Sequence, residues 1–276
     1  QAHLDAVMGW LCRAQDASPD GGVARMYHIK TGWGASYPET TGYIIPTFID
    51  FARFVDQREY IDRALRMADW EIDVQMPSGA VQGGTVADPP TPAIFNTGQV
   101  IFGWLAAHGI AGDPRYLDAA IRAGDFLCSN QDPDGAWRRN LSAFCSPIPK
   151  PDSYCYNIRT AWALVLLAEA TGDARYRAAA ESNLAYLLSR ARPNGWVPDN
   201  CLTDPTRPLL HTIAYTAQGM LETGLLVGRP RALDLVAVAC EHLARAFERH
   251  GQMHGRYDRH WVPTTRWRCL TGEAQL

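Results

Sequence analysis

The chain contains no run approaching roughly eighteen uninterrupted apolar residues, so nothing in it reads as a membrane-spanning helix. It lacks a basic excess: 26 Lys and Arg stand against 29 Asp and Glu, a formal net charge of -3. That balance argues against nucleic acid as a partner. No Cys-x-x-Cys pair occurs, and the seven cysteines are an odd number, so reduced thiols in a cytoplasmic protein are the simpler expectation. No signal-peptide pattern stands at the start. The chain nevertheless opens inside one helical pattern and stops inside another, which predicts a single domain over 1–276, trimmed at its C-terminus and open to a lost leader. With 276 residues, 47% hydrophobic and 10% aromatic, it has enough apolar material to bury a sizeable core.

What is present is repetition. The turns Gln57-Arg58-Glu59-Tyr60, Asp113-Pro114-Arg115-Tyr116 and Asp173-Ala174-Arg175-Tyr176 superpose on their tyrosines, and Gly228-Arg229-Pro230-Arg231 supplies a fourth copy matched through Gly112 and Gly172. The spacings of 56, 60 and 56 residues suit two helices plus a long loop. Each unit opens on a polar entrance followed by an apolar body: Thr40 to Val55, Asn96 to Gly112, Ser153 to Thr171, and His211 to Gly228. Leu270-Thr271-Gly272-Glu273 begins a fifth. The second helices, Tyr60 to Val74, Tyr116 to Ser129, Tyr176 to Ser189 and Ala232 to Glu248, carry charge on one face only. This predicts an inner ring of nearly uncharged helices and an outer amphipathic ring, an all-α toroid of five or six helical hairpins. His3 to Arg13 is either the second helix of an incomplete hairpin or a helix closing the ring.

Inner-to-outer turns are short, whereas outer-to-inner loops run about twenty to thirty residues, a length usually tied to function. All fall at one phase of the repeat, so they gather with the N-termini of the inner helices around one cavity. Those N-termini leave unpaired N–H groups and a partial positive charge, which favours a carboxylate-bearing ligand. The loop aromatics Tyr27, Trp33, Tyr37, Phe95, Trp137, Tyr154, Trp196 and Trp261 suit the apolar faces of sugar rings, or else fill the core beneath the loops.

Each long loop also starts alike, as in Gln131-Asp132-Pro133-Asp134-Gly135-Ala136-Trp137 and Pro193-Asn194-Gly195-Trp196. Gln131 with Gly135 and Trp137 resembles the QW repeat of squalene cyclases and the related toroid of protein prenyltransferases. The wider pattern resembles the (α/α) toroids of six-hairpin glycosidases, glucuronyl epimerases and polysaccharide lyases. Ser36-Tyr37-Pro38-Glu39-Thr40-Thr41-Gly42-Tyr43-Ile44-Ile45-Pro46 and Tyr156-Asn157-Ile158-Arg159-Thr160-Ala161-Trp162 resemble the strongest stretches of the VpsJ-like bacterial polysaccharide-biosynthesis family. The resemblance covers essentially the whole chain. It implies a bacterial protein of exopolysaccharide metabolism and a toroid, but not one reaction, because toroids host many chemistries.

Glu39, just before the first inner helix, and Glu273, at the last entrance, are candidates for a general acid and base; either could instead be a first-turn carboxylate. Arg159 stands where Gly42 and Gly98 stand in the aligned entrances, and a buried Arg needs a partner: a substrate carboxylate, or Glu39 or Glu273. His211 and Tyr215 lie one turn apart and could abstract a proton beside a uronate carboxylate. Tyr37, Tyr43, Gln99, Trp137, Tyr156, Asn157 and Trp196 are expected to contact the glycan. The expected partner is an oligosaccharide or polysaccharide that is hydrolysed, eliminated or epimerised without a cofactor or metal.

Two other readings stay open. One is a glycan-binding module without turnover. The other is a prenyltransferase-like enzyme with zinc at Asp152, Cys155 and His211, a three-ligand set with an open position, although the Asp-x-Cys spacing of that family is not kept. Terpene cyclisation lacks both its Asp-x-Asp-Asp and Asp-Asp-x-x-Asp motifs.

Overall fold

The structure, a computed structural model, describes residues 1–141, 153–201 and 203–276. Among the described residues, ten α-helices account for most of the chain, with two short β-hairpins. Contacts gather into two compact units, Gln1–Ser129 and Asn130–Leu276.

The first unit holds α1 (Ala2–Asp16), α2 (Pro38–Val55), α3 (Glu59–Asp73), α4 (Ile94–Ala111) and α5 (Pro114–Asn130). Strands β1 (Tyr27–His28) and β2 (Gly32–Trp33) pair in one long loop, and β3 (Gln82–Gly83) and β4 (Thr91–Pro92) in the next. The first two turns of α4, from Ile94 to Ile101, are wholly buried, as expected of an uncharged inner helix. On α3 only one face is buried, through Ala64, Met67, Ala68, Trp70 and Glu71, the helical period of an amphipathic outer element. Where α2 crosses α4 the backbones meet through glycine. A Cβ on Gly42 would lie 2.6 Å from the Val100 Cα, and one on Gly103 would strike the Gly42 carbonyl.

The second unit repeats the plan. A 3-10 turn at Cys155–Asn157 leads into α6 (Ile158–Thr171), followed by α7 (Ala174–Arg190), α8 (Leu210–Val227), α9 (Pro230–His250) and α10 (Leu270–Gln275). Helix α8 packs on α6, α9 and α10. Its close approaches again use glycine: a Cβ on Gly219 would lie 2.7 Å from the Arg159 nitrogen, and one on Gly272 would lie 2.6 Å from the His211 nitrogen. The chain 251–269 folds back so that Tyr257 and Trp261 join Trp196, Leu210, Ile213 and Leu243 in one core cluster.

Inner helices end where the turn signals predict. Asp56, Gly112, Gly172 and Gly228 follow α2, α4, α6 and α8, all in the left-handed region, which Gly adopts without steric cost. Inner α2, α4 and α8 begin one or two residues before their predicted entrances. Helix α6 begins several residues after Ser153, because the 3-10 turn intervenes.

The repeated loop start is a structural tie. The side-chain amides of Gln15, Gln75 and Gln131 each donate to the loop glycine carbonyl four to six residues on (Gly21, Gly79, Gly135). Each also donates to a carbonyl of the next outer helix, that of Arg63, Ala119 or Ala179. The glycines carry φ of +99°, +86° and +88°. Ala191 stands at the fourth copy, so that tie is missing while Gly195 still packs against α9. A second device recurs at the entrances of the first unit. The Thr41 hydroxyl accepts from the Val23 N–H and donates to the Tyr37 carbonyl, and Thr97 does the same with Val81 and Ala93.

No helix among the described residues is long and apolar enough to cross a membrane. Among the described residues, Cys12, Cys155, Cys201, Cys240 and Cys269 form no disulfide.

Candidate functional site

The second unit brings three of the predicted catalytic residues together at the N-terminal ends of its inner helices. Arg159, in the first turn of α6, donates through Nη1 to the Gln218 side-chain oxygen of α8. Its guanidinium lies over the Trp162 ring at 5.6 Å and over the Tyr215 ring at 4.9 Å. Arg stacks well on aromatic faces because its planar, delocalised cation is weakly hydrated. On the other side of the cluster, the Tyr215 and His211 rings are 4.2 Å apart. The His211 Nδ1 lies 2.9 Å from the side-chain oxygen of Gln275 on α10. That bond puts the ring proton on Nδ1 and the lone pair on Nε2. Burial, and with it the charge of Arg159, holds the His211 imidazole below its ordinary pKa, against the upward pull of the Gln275 bond. A neutral imidazole with its Nε2 lone pair available, next to a fixed cation, can take a proton from a carbon acidified by a neighbouring carboxylate.

Asn157 caps α6 at the end of the 3-10 turn, and Thr160 lies in the first turn of the helix. Both Asn157 amide atoms and the Thr160 hydroxyl are buried with no hydrogen-bond partner among the described residues. Each such group costs about 1–3 kcal/mol. At the aligned entrance of the first unit, Asn96 differs: its amide donates to the Gln82 carbonyl at 3.1 Å and to the Tyr37 hydroxyl at 3.4 Å. Tyr156 is buried and stacks on Tyr154, centroids 5.4 Å apart.

In the first unit, Glu39 lies in the first turn of α2 and accepts a hydrogen bond from the Tyr37 hydroxyl. The Arg25 guanidinium stands 5.5 Å over the Tyr37 ring. Burial, with the Glu39 charge and hydrogen bond beside it, pushes the phenol far above its ordinary value, so Tyr37 is a fixed donor to the Glu39 carboxylate. Tyr43 is half-buried on the next turn, whereas Gln99 is fully buried.

Several expectations fare differently. Glu273 is held by a two-pronged ion pair with Arg268, whose hydrogen bond keeps the carboxyl below its ordinary value. Its ion-pair partner is therefore Arg268, not Arg159. Trp137 has no accessible surface and Trp196 only 4%, which corrects the expectation that both rings line the mouth. Their faces are consumed by packing. Of the eight loop aromatics, only Tyr27 and Trp33 keep appreciable exposure; they group with exposed Trp10. Asp152 of the zinc reading lies outside the described residues. Burial pushes the Cys155 thiol up to about 12. Among the described residues no three His, Cys, Asp or Glu gather as metal ligands do.

Gln218 and Gln275, which anchor Arg159 and His211, are absent from the sequence-derived candidates. For Gln218 the available signal was an uncharged amide in the mostly apolar α8; Gln275, at the end of the short α10, carried none.

No protein-family model matches the chain, and no curated protein does. Solved structures do. A sugar epimerase from a ruminal bacterium superposes with a TM-score of 0.77 at 13% identity, covering 98% of this chain and 76% of the other. The cellobiose 2-epimerase of Bacillus thermoamylovorans gives 0.72 at 9%, covering 94% and 74%. An unsaturated glucuronyl hydrolase specific for heparin gives 0.66 at 12%, covering 85% and 64%, so this chain spans under two thirds of that enzyme's length. At such identities the likeness establishes the fold class, an all-α (α/α) toroid of helical hairpins. These neighbours are carbohydrate-active enzymes by name.

Proposed function

We propose that the chain is a carbohydrate-active protein of bacterial polysaccharide metabolism that binds a uronate-containing glycan at the inner-helix N-termini. The observation that carries this reading is the Trp162–Arg159–Tyr215–His211 cluster. A guanidinium stacked on two aromatic rings and fixed by Gln218 is ready to take a carboxylate bidentately, and the N-terminus of α6 adds its partial positive charge. Asn157 and Thr160 offer buried polar atoms still wanting partners, which sugar hydroxyls supply. The reaction is proton abstraction beside the uronate carboxylate: Arg159 neutralises the carboxylate, the His211 Nε2 receives the proton, and Tyr215 orients both groups. Return of a proton to the opposite face gives epimerisation, and loss of a β-substituent gives elimination. Glu39, with Tyr37 donating to it, is the acid-base candidate on the first unit, where a hydrolytic step would draw on it. The sugar epimerase and glucuronyl hydrolase neighbours support the substrate class, and the VpsJ-like resemblance supports a biosynthetic, cytoplasmic setting.

The test is incubation of purified protein with uronate and neutral oligosaccharides in D2O, following solvent deuterium at the uronate C5 by NMR and binding by thermal shift. A ligand that binds the native state raises its melting temperature with concentration. Deuterium incorporation lost in His211→Gln is the expected result. Binding of uronate oligosaccharides without exchange or cleavage assigns a binding module instead, and no preference for uronates over neutral sugars overturns the proposal.

A further inference from the structure

A cavity of about 560 Å3 opens between the C-terminal half of α9 and the chain 251–265 that folds over it, within the usual range for small-molecule sites of about 300–1,000 Å3. Its wall carries His242, Arg245, Arg249, His250, His254 and His260, and no Asp or Glu. Of the carboxylates on these elements, Glu241 pairs with the wall residue Arg245 at 3.1 Å and so offsets one of the wall's two guanidinium groups, and Asp258 accepts the backbone N–H groups of His260 and Val262. Arg249 and His250 close the last turn of α9, where the carbonyl end of the helix favours cations.

Two features mark the cavity as built rather than incidental. The first is His254. Its Nδ1 donates to the Thr265 carbonyl at 2.7 Å, and its Nε2 is buried with no partner among the described residues. An imidazole fixed in this way presents Nε2 either as a lone pair or, once protonated, as a second donor that needs an acceptor. The second is Trp261, a bulky residue at φ +62°, a conformation L residues adopt only when their surroundings impose it. Its indole N–H donates to the Asn194 carbonyl at 2.9 Å, and its ring stacks on His242, 5.9 Å away and 10° from parallel. The loop is therefore pinned in a form that keeps one aromatic wall and an arginine- and histidine-bearing wall facing one space.

From this arrangement we propose that the cavity is a binding site for a tetrahedral oxyanion, a phosphate or sulfate group, with Arg249 and the His254 Nε2 as its principal donors. Arg249, with Arg245 beside it, sets guanidinium donors in a concavity whose lining otherwise offers imidazole nitrogens and no carboxylate, and such a site favours anions. This proposal does not depend on the uronate reading, because none of its residues belongs to the Arg159 cluster.

The test is a titration of the full chain with inorganic phosphate, sulfate and chloride at constant ionic strength, following the histidine Cε1–H signals by NMR. His254 and His250 are expected to shift saturably with phosphate or sulfate and not with chloride. Saturation with phosphate alone points to a phosphorylated ligand, and saturation with sulfate alone to a sulfated one. Arg249→Ala, at an exposed position, is expected to keep the parent melting temperature and weaken the binding about tenfold or more; His254→Phe should weaken it likewise. Shifts that track ionic strength without saturating, or affinities unchanged in Arg249→Ala, would sink the proposal.

Discussion

The Arg159 guanidinium lies 4.9 Å from the centre of the Tyr215 ring, and the His211 ring meets the same phenol at a centroid distance of 4.2 Å. A single phenol thus couples the cation to the imidazole across two inner helices. Replacing Arg159 with Ala is expected to lower the affinity for a uronate oligosaccharide at least tenfold, on the scale of a lost charged hydrogen bond, about 1.5–3 kcal/mol. Arg159→Lys should recover only part of it, since an ammonium cannot reproduce the planar fork. Isothermal titration against matched neutral sugars measures the difference.

The pH dependence of the site follows from the depressed His211 pKa. A base that stays neutral to lower pH than an ordinary histidine keeps working there, so the acid limb of kcat/KM is expected below about pH 6.5. The linkage has the matching sign. The folded state resists protonating this ring, so its contribution to stability is intact above the unfolded pKa and is lost as pH falls through the folded one. A limb at or above pH 6.5, or one unmoved in His211→Gln, would remove His211 as the base.

Glu71 makes a second pH prediction far from that cluster. It is wholly buried on α3, and neither oxygen has a hydrogen-bond partner among the described residues. Burial pushes its carboxyl well above the ordinary value. Burial therefore favours the neutral acid in the folded protein, and its contribution to stability is complete below the unfolded pKa of about 4.3. That contribution is lost as pH rises towards the folded value. Glu71→Met is expected to stabilise the protein by about 1–3 kcal/mol near neutral pH, and the gap from the parent in melting temperature should widen with pH. A constant gap would contradict it.

Two glycines of similar backbone geometry should respond differently to the same substitution. Gly135 has φ +88°, and a Cβ there would strike the Ser182 carbonyl; Gly172 has φ +74° with nothing within 4 Å. Gly172→Ala is expected to cost about 1–2 kcal/mol from backbone strain alone. Gly135→Ala should cost about 2–4 kcal/mol because α7 must also shift. Urea denaturation of both variants distinguishes strain from collision.

Gln131→Ala removes the bonds to the Gly135 and Ala179 carbonyls together and is expected to cost about 1–3 kcal/mol. The same change at Gln75 should cost a similar amount, since its two acceptors are homologous. A loss of glycan binding without a loss of stability would instead make these glutamines part of the ligand site.

How far the chain could be read without coordinates depends on whether a property is local. The hairpins were legible because the signals that make them are local: left-handed glycines after α4, α6 and α8, apolar bodies without charge, and outer faces with a helical period. The entrance of α6 stood out for the same reason, since Tyr156 to Trp162 packs aromatic and polar residues into two turns. Partnerships were not legible, because they join residues brought near only by packing. Arg159 reaches Gln218, 59 residues away, and His211 reaches Gln275, 64 residues away. Trp137 looked like a sugar platform, yet the tie of Gln131 to α7 draws its loop inward and buries the ring. Glu71 lies within the charged outer helix Tyr60 to Val74, yet its angular position on α3 places it in the core. Sequence alone determined the helical-hairpin class, because hydrophobic period and turn chemistry act between near neighbours. Only the tertiary structure decided which polar side chains are spent on holding helices together and which still lack a partner, because desolvation and hydrogen bonding depend on the groups that surround each atom in space.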